Sequence, residues 1–342
     1  MSSIELQQVA FRYPGADVDT LTALDLQVHD GEAHALLGAS GAGKTTLLNL
    51  LSGLLHPTSG RVLFNGVDVS ELPGRDRAIA QVFQFPVLYE SLTVEENLAF
   101  PLRVKKLPRA QIAERLQVIC EELELDALRR VKPRQLSLYE KQLVAVGKAL
   151  VRPDVSVVLL DEPLTAVEPR IKWRLRQSLR RVQADLGVTM IYVTHDQTEA
   201  LTFADRVSVL TTAGILQTGT PEVVYSAPSH EYVGHFVGSP GMNFVPAAAL
   251  GLDNAERVGF RAEWAQLDNS DAMLSGRVVR ERLQGTRDGA PYGLLTIDSA
   301  QGLLTVRTVL PEESLLDTQV GVRVQRYVAF EDQRQVATGE FV

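Results

Sequence analysis

Eight consecutive residues, Gly38-Ala39-Ser40-Gly41-Ala42-Gly43-Lys44-Thr45, carry the spacing G-x-x-x-x-G-K-[ST] of a phosphate-binding loop. Glycines at those positions let the backbone wrap closely around phosphate oxygens with its N–H groups turned inward. The N-terminus of the helix that follows the loop adds a favourable field for an anion. Lys44 would bridge the β- and γ-phosphates of a nucleotide, and the Thr45 hydroxyl would ligate Mg²⁺, with Thr46 completing the nucleotide-binding set. A second group of reactive residues ends the apolar run Val157-Val158-Leu159-Leu160-Asp161-Glu162. Asp161 would deliver a carboxylate to the Mg²⁺ sphere, directly or through water. Glu162 beside it would hold and deprotonate an attacking water. The chemistry implied is Mg²⁺-dependent cleavage of a nucleoside triphosphate.

These groups need strands and helices to aim them. Ala33–Leu37 reads as the strand before the loop and Thr45–Leu55 as the helix after it. The alternation in Ala23–His29 suits a half-buried strand, and Gly60–Val67 a hairpin turning at Asn65-Gly66. From about residue 93 to 150 the pattern is helical, with Ile112, Leu116, Ile119, Leu123 and Leu125 on one stripe. Val155–Leu160 and Met190–Val193 look like strands buried on both faces of a parallel sheet. Between them, Arg170–Leu186 predicts an amphipathic helix, so an α/β sheet with right-handed crossovers is expected. Near Gly238-Ser239-Pro240-Gly241 the character changes to short alternating strands such as Val322–Val328, with turns at Asp288-Gly289 and Gln301-Gly302. That stretch predicts a small β-barrel or sandwich, and the boundary divides the chain into 1–237 and 238–342.

Size and composition agree. A chain of 342 residues suits two domains, and 45% hydrophobic with 22% charged residues excludes global disorder. The net charge of −8, spread over both parts, argues against nucleic acid as a partner. The single cysteine, Cys120, allows no intrachain disulfide and reads as core filler. His230 and His235 lack metal-site spacing. The beginning of the sequence lacks a signal-peptide layout, and no apolar run approaches a bilayer span, so any membrane role is peripheral, from the cytoplasmic side.

With these residues in place the chain resembles an ABC-type ATPase over nearly its full length. The resemblance implies a P-loop ATPase fold: a RecA-like α/β core with antiparallel β and helical subdomains (the latter about 90–150), and an OB-like C-terminal β-domain. It implies that Gln84, in Val82-Phe83-Gln84, senses Mg²⁺ and water, that His195 contacts the γ-phosphate, and that Tyr13 stacks on adenine. Gly238–Phe244 and Gly259-Phe260-Arg261-Ala262-Glu263 look like the junction and first segment of the β-domain of carbohydrate- and polyol-importer ATPases. Such proteins sit in pairs at the inner membrane, beneath two transmembrane channel subunits fed by an extracytoplasmic solute-binding protein. The segment Phe85–Leu102 would receive a coupling helix from the channel.

One departure matters. Where the family carries Leu-Ser-Gly-Gly-Gln at a helix N-terminus, this chain has Leu136-Ser137-Leu138-Tyr139-Glu140. Two side chains occupy positions where bare backbone should approach the partner's γ-phosphate, and Glu140 adds a negative charge. Leu143 replaces a usual arginine, and Glu168 replaces an aspartate in Leu164-Thr165-Ala166-Val167-Glu168. The expectation is an asymmetric dimer: this chain's own site hydrolyses ATP against the signature of a paralogous ATPase subunit, while its own signature gives a weak or inactive second site. The altered strings resemble one member of the unequal ATPase pair of glycerol importers. The alternative is a non-catalytic nucleotide-binding subunit of the same kind of transporter.

Overall fold

The computed structural model describes residues 2–165, 167–253, 255–287 and 290–341. Ala166 and the turn expected at Asp288-Gly289 lie outside them. The chain forms two compact units, Met1–Pro221 and Glu222–Val342.

The first unit opens with β1 (Ile4–Phe11), β2 (Leu21–Val28), β3 (Ala33–Leu37), α1 (Lys44–Ser52), β4 (Ser59–Phe64), β5 (Val67–Asp68) and β6 (Ile79–Val82). Then come α2 (Val94–Val104), α3 (Arg109–Glu122) and α4 (Leu138–Leu150). It closes with β7 (Val157–Asp161), α5 (Pro169–Leu186), β8 (Thr189–Thr194), α6 (Gln197–Phe203), β9 (Arg206–Thr211) and β10 (Gly214–Gly219). The central sheet runs β10-β9-β3-β8-β7-β6, parallel except for β10. Every residue of β3 and β8 is buried, which is why these strands read as unbroken apolar runs. A separate antiparallel sheet, β2-β1-β4-β5, contains the expected turn, with Asn65 and Gly66 both at positive φ.

Helix boundaries follow local chemistry. α1 stops at Ser52 rather than running to Leu55, because Gly53 adopts φ 74° and its N–H closes on Asn49 and Leu50 carbonyls. α5 buries Leu175, Leu179 and Val182. Two of its arginines are anchored: Arg180 pairs with Asp205, and Arg181 with Glu124. α2 and α4 each begin with a reciprocal capping box, Thr93/Glu96 and Ser137/Glu140.

After α7 (Pro221–Ser226), whose first residue ends the first unit, the second unit contains α8 (Glu231–Phe236), β11 (Asn243–Pro246), β12 (Arg257–Phe260), β13 (Ala265–Leu267), β14 (Leu274–Arg287), β15 (Ala290–Ser299) and β16 (Gly302–Val309). β17 (Gln319–Val324), β18 (Arg326–Glu331) and β19 (Arg334–Glu340) complete it. One sheet runs β13-β17-β14-β15-β16, and its edge strands β13 and β16 lie side by side, so it curls nearly closed like a barrel. The other is β11-β12-β18-β19. The single strand expected over Val322–Val328 is therefore two. The chain leaves one sheet at Val324 and enters the other at Arg326, because the Gln325 N–H donates to the Trp264 carbonyl (2.8 Å) instead of to a ladder partner. Arg261 is fully buried here, and its guanidinium donates to the carbonyls of Tyr225, Gly234 and Val237. Burial pulls its pKa down to about 10, against the attraction of Tyr225 and Glu263. His230 takes a plain structural role, accepting the Tyr232 N–H through Nδ1 at the start of α8. Cys120 is buried in α3, and burial lifts its thiol to about 11, away from nucleophilic use.

Candidate functional site

β3 ends in the loop Gly38–Gly43, which turns directly into α1. Gly41 and Gly43 sit at φ 82° and 90°, a region that side chains rarely adopt. A Cβ on Gly38 would lie 2.4 Å from the Leu210 carbonyl oxygen, and one on Gly43 would lie 2.5 Å from Leu21 Cδ2. Gly38 and Ala42 are buried, while Ala39, Ser40 and Gly41 are exposed at the rim. Lys44 is buried, with Nζ 2.7 Å from Gly38 O and 2.9 Å from Ala39 O. Its ammonium is therefore parked on the carbonyls of the loop it would share with a phosphate. Burial lowers the Lys44 pKa, and the charges of Glu162 and Asp161 pull it back. Thr45 is exposed and Thr46 buried. Tyr13, 42% exposed, packs edge-on against Phe11, and its hydroxyl lies 3.2 Å from Thr46 Oγ1. An exposed ring held beside the loop suits stacking on a base.

The acid end of the site is assembled by β7 and β8. Asp161 closes β7, and its pKa is raised by burial first and by Glu162 second, with Lys44 opposing. Glu162 follows at φ 46°, a left-handed conformation that costs an L-residue roughly 1–2 kcal/mol. Its backbone N–H is tied to Val193 O (3.0 Å). Its carboxylate lies 3.1 Å from His195 Nδ1 and accepts a hydrogen bond from Thr165 Oγ1 (3.0 Å). Burial alone would raise this carboxyl, but those two hydrogen bonds and the charge of Lys44 outweigh it, so Glu162 is held below its ordinary pKa. An ionised carboxylate paired with an imidazole is what a water-activating base requires. Hard oxygen donors (Thr45, Asp161) around a glycine cradle also fit Mg²⁺ and phosphate, in that order.

Gln84 lies just past β6, half-buried, and makes no hydrogen bond to Asp161, Glu162 or His195 among the described residues. Lys44, Asp161, Glu162 and His195 are drawn together, with Tyr13 on Thr46 at the other end of the loop; Gln84 is not joined to them. Sequence reading passed over Gln142 on α4. It is buried, its Nε2 donates to Phe83 O (3.3 Å), and its Oε1 has no hydrogen-bond partner among the described residues. It therefore joins α4 to the residue before Gln84.

α4 begins at Leu138, within the string Leu136–Glu140. Ser137 is its N-cap, and Glu140 folds back over the first turn, accepting from Ser137 N–H (2.7 Å) and Oγ (2.8 Å). Ser137 Oγ in turn accepts the Glu140 N–H (3.3 Å). The donors that a helix N-terminus offers an external anion are partly satisfied by this chain's own carboxylate. Leu138 and Tyr139 flank it, Leu138 exposed. The pattern S-x-x-E was present in the sequence and would have announced the capping box.

Residues 21–165 match the family model described as ABC transporter. The chain is 37% identical over 308 residues to the sn-glycerol-3-phosphate import ATP-binding protein UgpC of Chromobacterium violaceum, covering 89% of this chain and 83% of that one. It is 43% identical over 237 residues to the trehalose/maltose import ATP-binding protein MalK of Thermococcus litoralis, covering 68% of this chain and 63% of that one. Among solved structures, the ATP-binding cassette MJ0796, a dimer in a post-hydrolysis state bound to ADP and Pi, superposes with a TM-score of 0.55 at 26% identity, covering 64% of this chain and 98% of that one.

Proposed function

The chain belongs to the ABC transporter family as an ATP-binding import subunit, and from that membership we propose that it fires ATP in an unequal pair. Subunits of this kind are ATPases that bind ATP with Mg²⁺ and couple its hydrolysis to transport. In this reading Gly38–Thr46 and Tyr13 hold the nucleotide, and Thr45, Asp161 and Gln84 hold the cation. Mg²⁺ supplies charge neutralisation to the phosphates when bound. Lys44 leaves its two loop carbonyls for the phosphates, Glu162 orients and deprotonates the water, and His195 fixes the Glu162 carboxylate and reaches the γ-phosphate.

The observation behind the unequal pair is the contrast between the two faces. Lys44, Asp161, Glu162 and His195 are drawn together, whereas the helix after Ser137 is capped by its own Glu140. A homodimer would place two such signatures against two sound sites, so the partner proposed is a paralogous ATPase with an ordinary signature. Two channel subunits and an extracytoplasmic binding protein complete the transporter, with this chain on the cytoplasmic face of the inner membrane. Among the described residues no helix is long and apolar enough to cross a membrane. The exposed apolar residues Phe83 and Val87, with Leu54, line a groove of about 530 Å³ that suits an amphipathic channel helix. The cargo class is a small polyol or sugar, glycerol above others; relatives named for glycerol phosphate and for disaccharides support that class.

The test is ATP turnover by this chain alone, with the partner ATPase, and with Leu138→Gly/Tyr139→Gly. Slow turnover alone, a rise with the partner, and a gain from the glycines are expected. Brisk turnover alone would refute the unequal pair. Glu162→Gln decides the remaining alternative: transport is abolished if this site fires, and unchanged if the subunit is non-catalytic.

A further inference from the structure

Behind His195 lies a buried carboxylate that the sequence did not single out. Glu199 on α6 is 2% exposed and accepts three hydrogen bonds: Lys172 Nζ (2.9 Å) on Oε1, and Tyr192 OH (3.0 Å) and Thr194 Oγ1 (2.8 Å) on Oε2. Thr194 ends β8, and its hydroxyl oxygen also accepts the Asp196 N–H (2.9 Å). Asp196 caps α6 by accepting from the N–H groups of Thr198 and Glu199 itself. His195 is the residue between. Its side chain is 53% exposed and pairs with Glu162, while its neighbours Thr194 and Asp196 both hydrogen-bond to Glu199.

The other end of this network reaches the loop after Glu162. Lys172 stands in the first turns of α5, which opens immediately after Glu168. The Glu168 carbonyl accepts the N–H groups of Ile171 (2.9 Å) and Lys172 (3.2 Å). Through Lys172 and Thr194 the Glu199 carboxylate thus joins the start of α5 to the residue before His195, while the Glu199 backbone N–H holds Asp196, the residue after it. The Glu199 end of this ion pair is buried while Lys172 is 24% exposed, and such a pair is weak evidence for a stabilising role.

We propose that Glu199 is a positioning residue for hydrolysis, holding His195 at the distance from Glu162 that water activation needs and tying that distance to the placement of α5. This rests on the reading of His195 as the group facing the γ-phosphate. A carboxylate that only cements the core would affect folding and nucleotide binding together; one acting through His195 affects the chemical step alone.

The experiment uses the transporter purified on a tagged full-length copy of this chain, with Glu199→Gln, Lys172→Met, His195→Ala and the His195→Ala/Glu199→Gln combination. Glu199→Gln is expected to lower kcat by roughly tenfold to a hundredfold, as misplacement of a reacting group does, with KM for ATP moving less than about threefold. The combination is expected to be no slower than His195→Ala alone, within about twofold. Multiplicative losses in the combination, or a KM that rises in step with the fall in kcat, would overturn the inference while leaving the site reading intact. An unchanged kcat for His195→Ala would overturn the site reading and the inference with it. Should Glu199→Gln fail to fold, Tyr192→Phe removes one hydrogen bond from the same carboxylate and should show the same non-additivity with His195→Ala. In the isolated chain labelled at histidine, Lys172→Met should also move the His195 imidazole resonances; their staying in place would count against the link.

Discussion

On the proposed unequal pairing, Glu140→Gln separates charge from shape in the string Leu136–Glu140. The Glu140 carboxylate lies 2.7 Å from the Ser137 N–H and 2.8 Å from its Oγ, over the turn that a partner's γ-phosphate would approach. A unit charge about 6 Å from a phosphate oxygen repels it by roughly 3 kcal/mol at an effective dielectric near 20, and salt and Mg²⁺ reduce that. At 1.4 kcal/mol per decade, removing the charge should tighten nucleotide at the partner's site by about tenfold to a hundredfold. Glutamine can keep the capping box, so the helix should lose only the charge–dipole contribution, about 0.3–1 kcal/mol. The assay is residual turnover of the assembled transporter carrying Glu162→Gln in this chain, which leaves the partner's site to report. Adding Glu140→Gln should lower its KM for ATP with little change in Tm. An unchanged KM in a folded complex would refute the assignment of electrostatic obstruction to Glu140, leaving Leu138 and Tyr139 to account for any weakness.

Three further outcomes are expected. As pH falls, Mg²⁺-dependent ATP binding should fail before the hydrolytic step, because burial raises Asp161 while Glu162 is held low; Kd against kcat at saturating ATP over the acid range shows the order. The linkage signs differ accordingly. Glu162 contributes stability that is full above its ordinary value of 4.5 and is lost as pH falls through its lower folded pKa. Asp161 costs stability until pH falls through its raised pKa, so Asp161→Asn should raise the Tm of nucleotide-free protein while abolishing Mg²⁺-dependent binding. Gly43→Ala should lower ATP affinity and cost about 1 kcal/mol or more of stability, since φ 90° and the approach to Leu21 both oppose a Cβ; equilibrium nucleotide binding and thermal melting check it. Arg261→Met should strip three buried carbonyls of their donor and destabilise the second unit by about 3–5 kcal/mol, seen as an earlier calorimetric transition.

What could be read in advance was local in sequence. Gly38–Thr45, the apolar strand ending in Asp161, and the helical stripe of α5 each announce themselves within a few residues, because backbone wrapping and periodic burial act over that range. The contacts that position the chemistry are not local. Glu199 and Lys172 are 27 residues apart, and Gln142 and Phe83 are 59 apart, so neither pairing leaves a spacing to find. Val322–Val328 misled for the opposite reason: alternation persists through Gln325, although the chain changes sheets there. The capping box of Ser137 and Glu140 is legible in the spacing S-x-x-E, because both of its bonds close within one helical turn.

The most direct measurement counts working sites. Trapping ADP with vanadate in the intact transporter and measuring nucleotide per complex should give one trapped ADP per ATPase pair, lost when Glu162→Gln is placed in this chain. Two per pair, trapped at equal rates on two identical copies, would contradict the account.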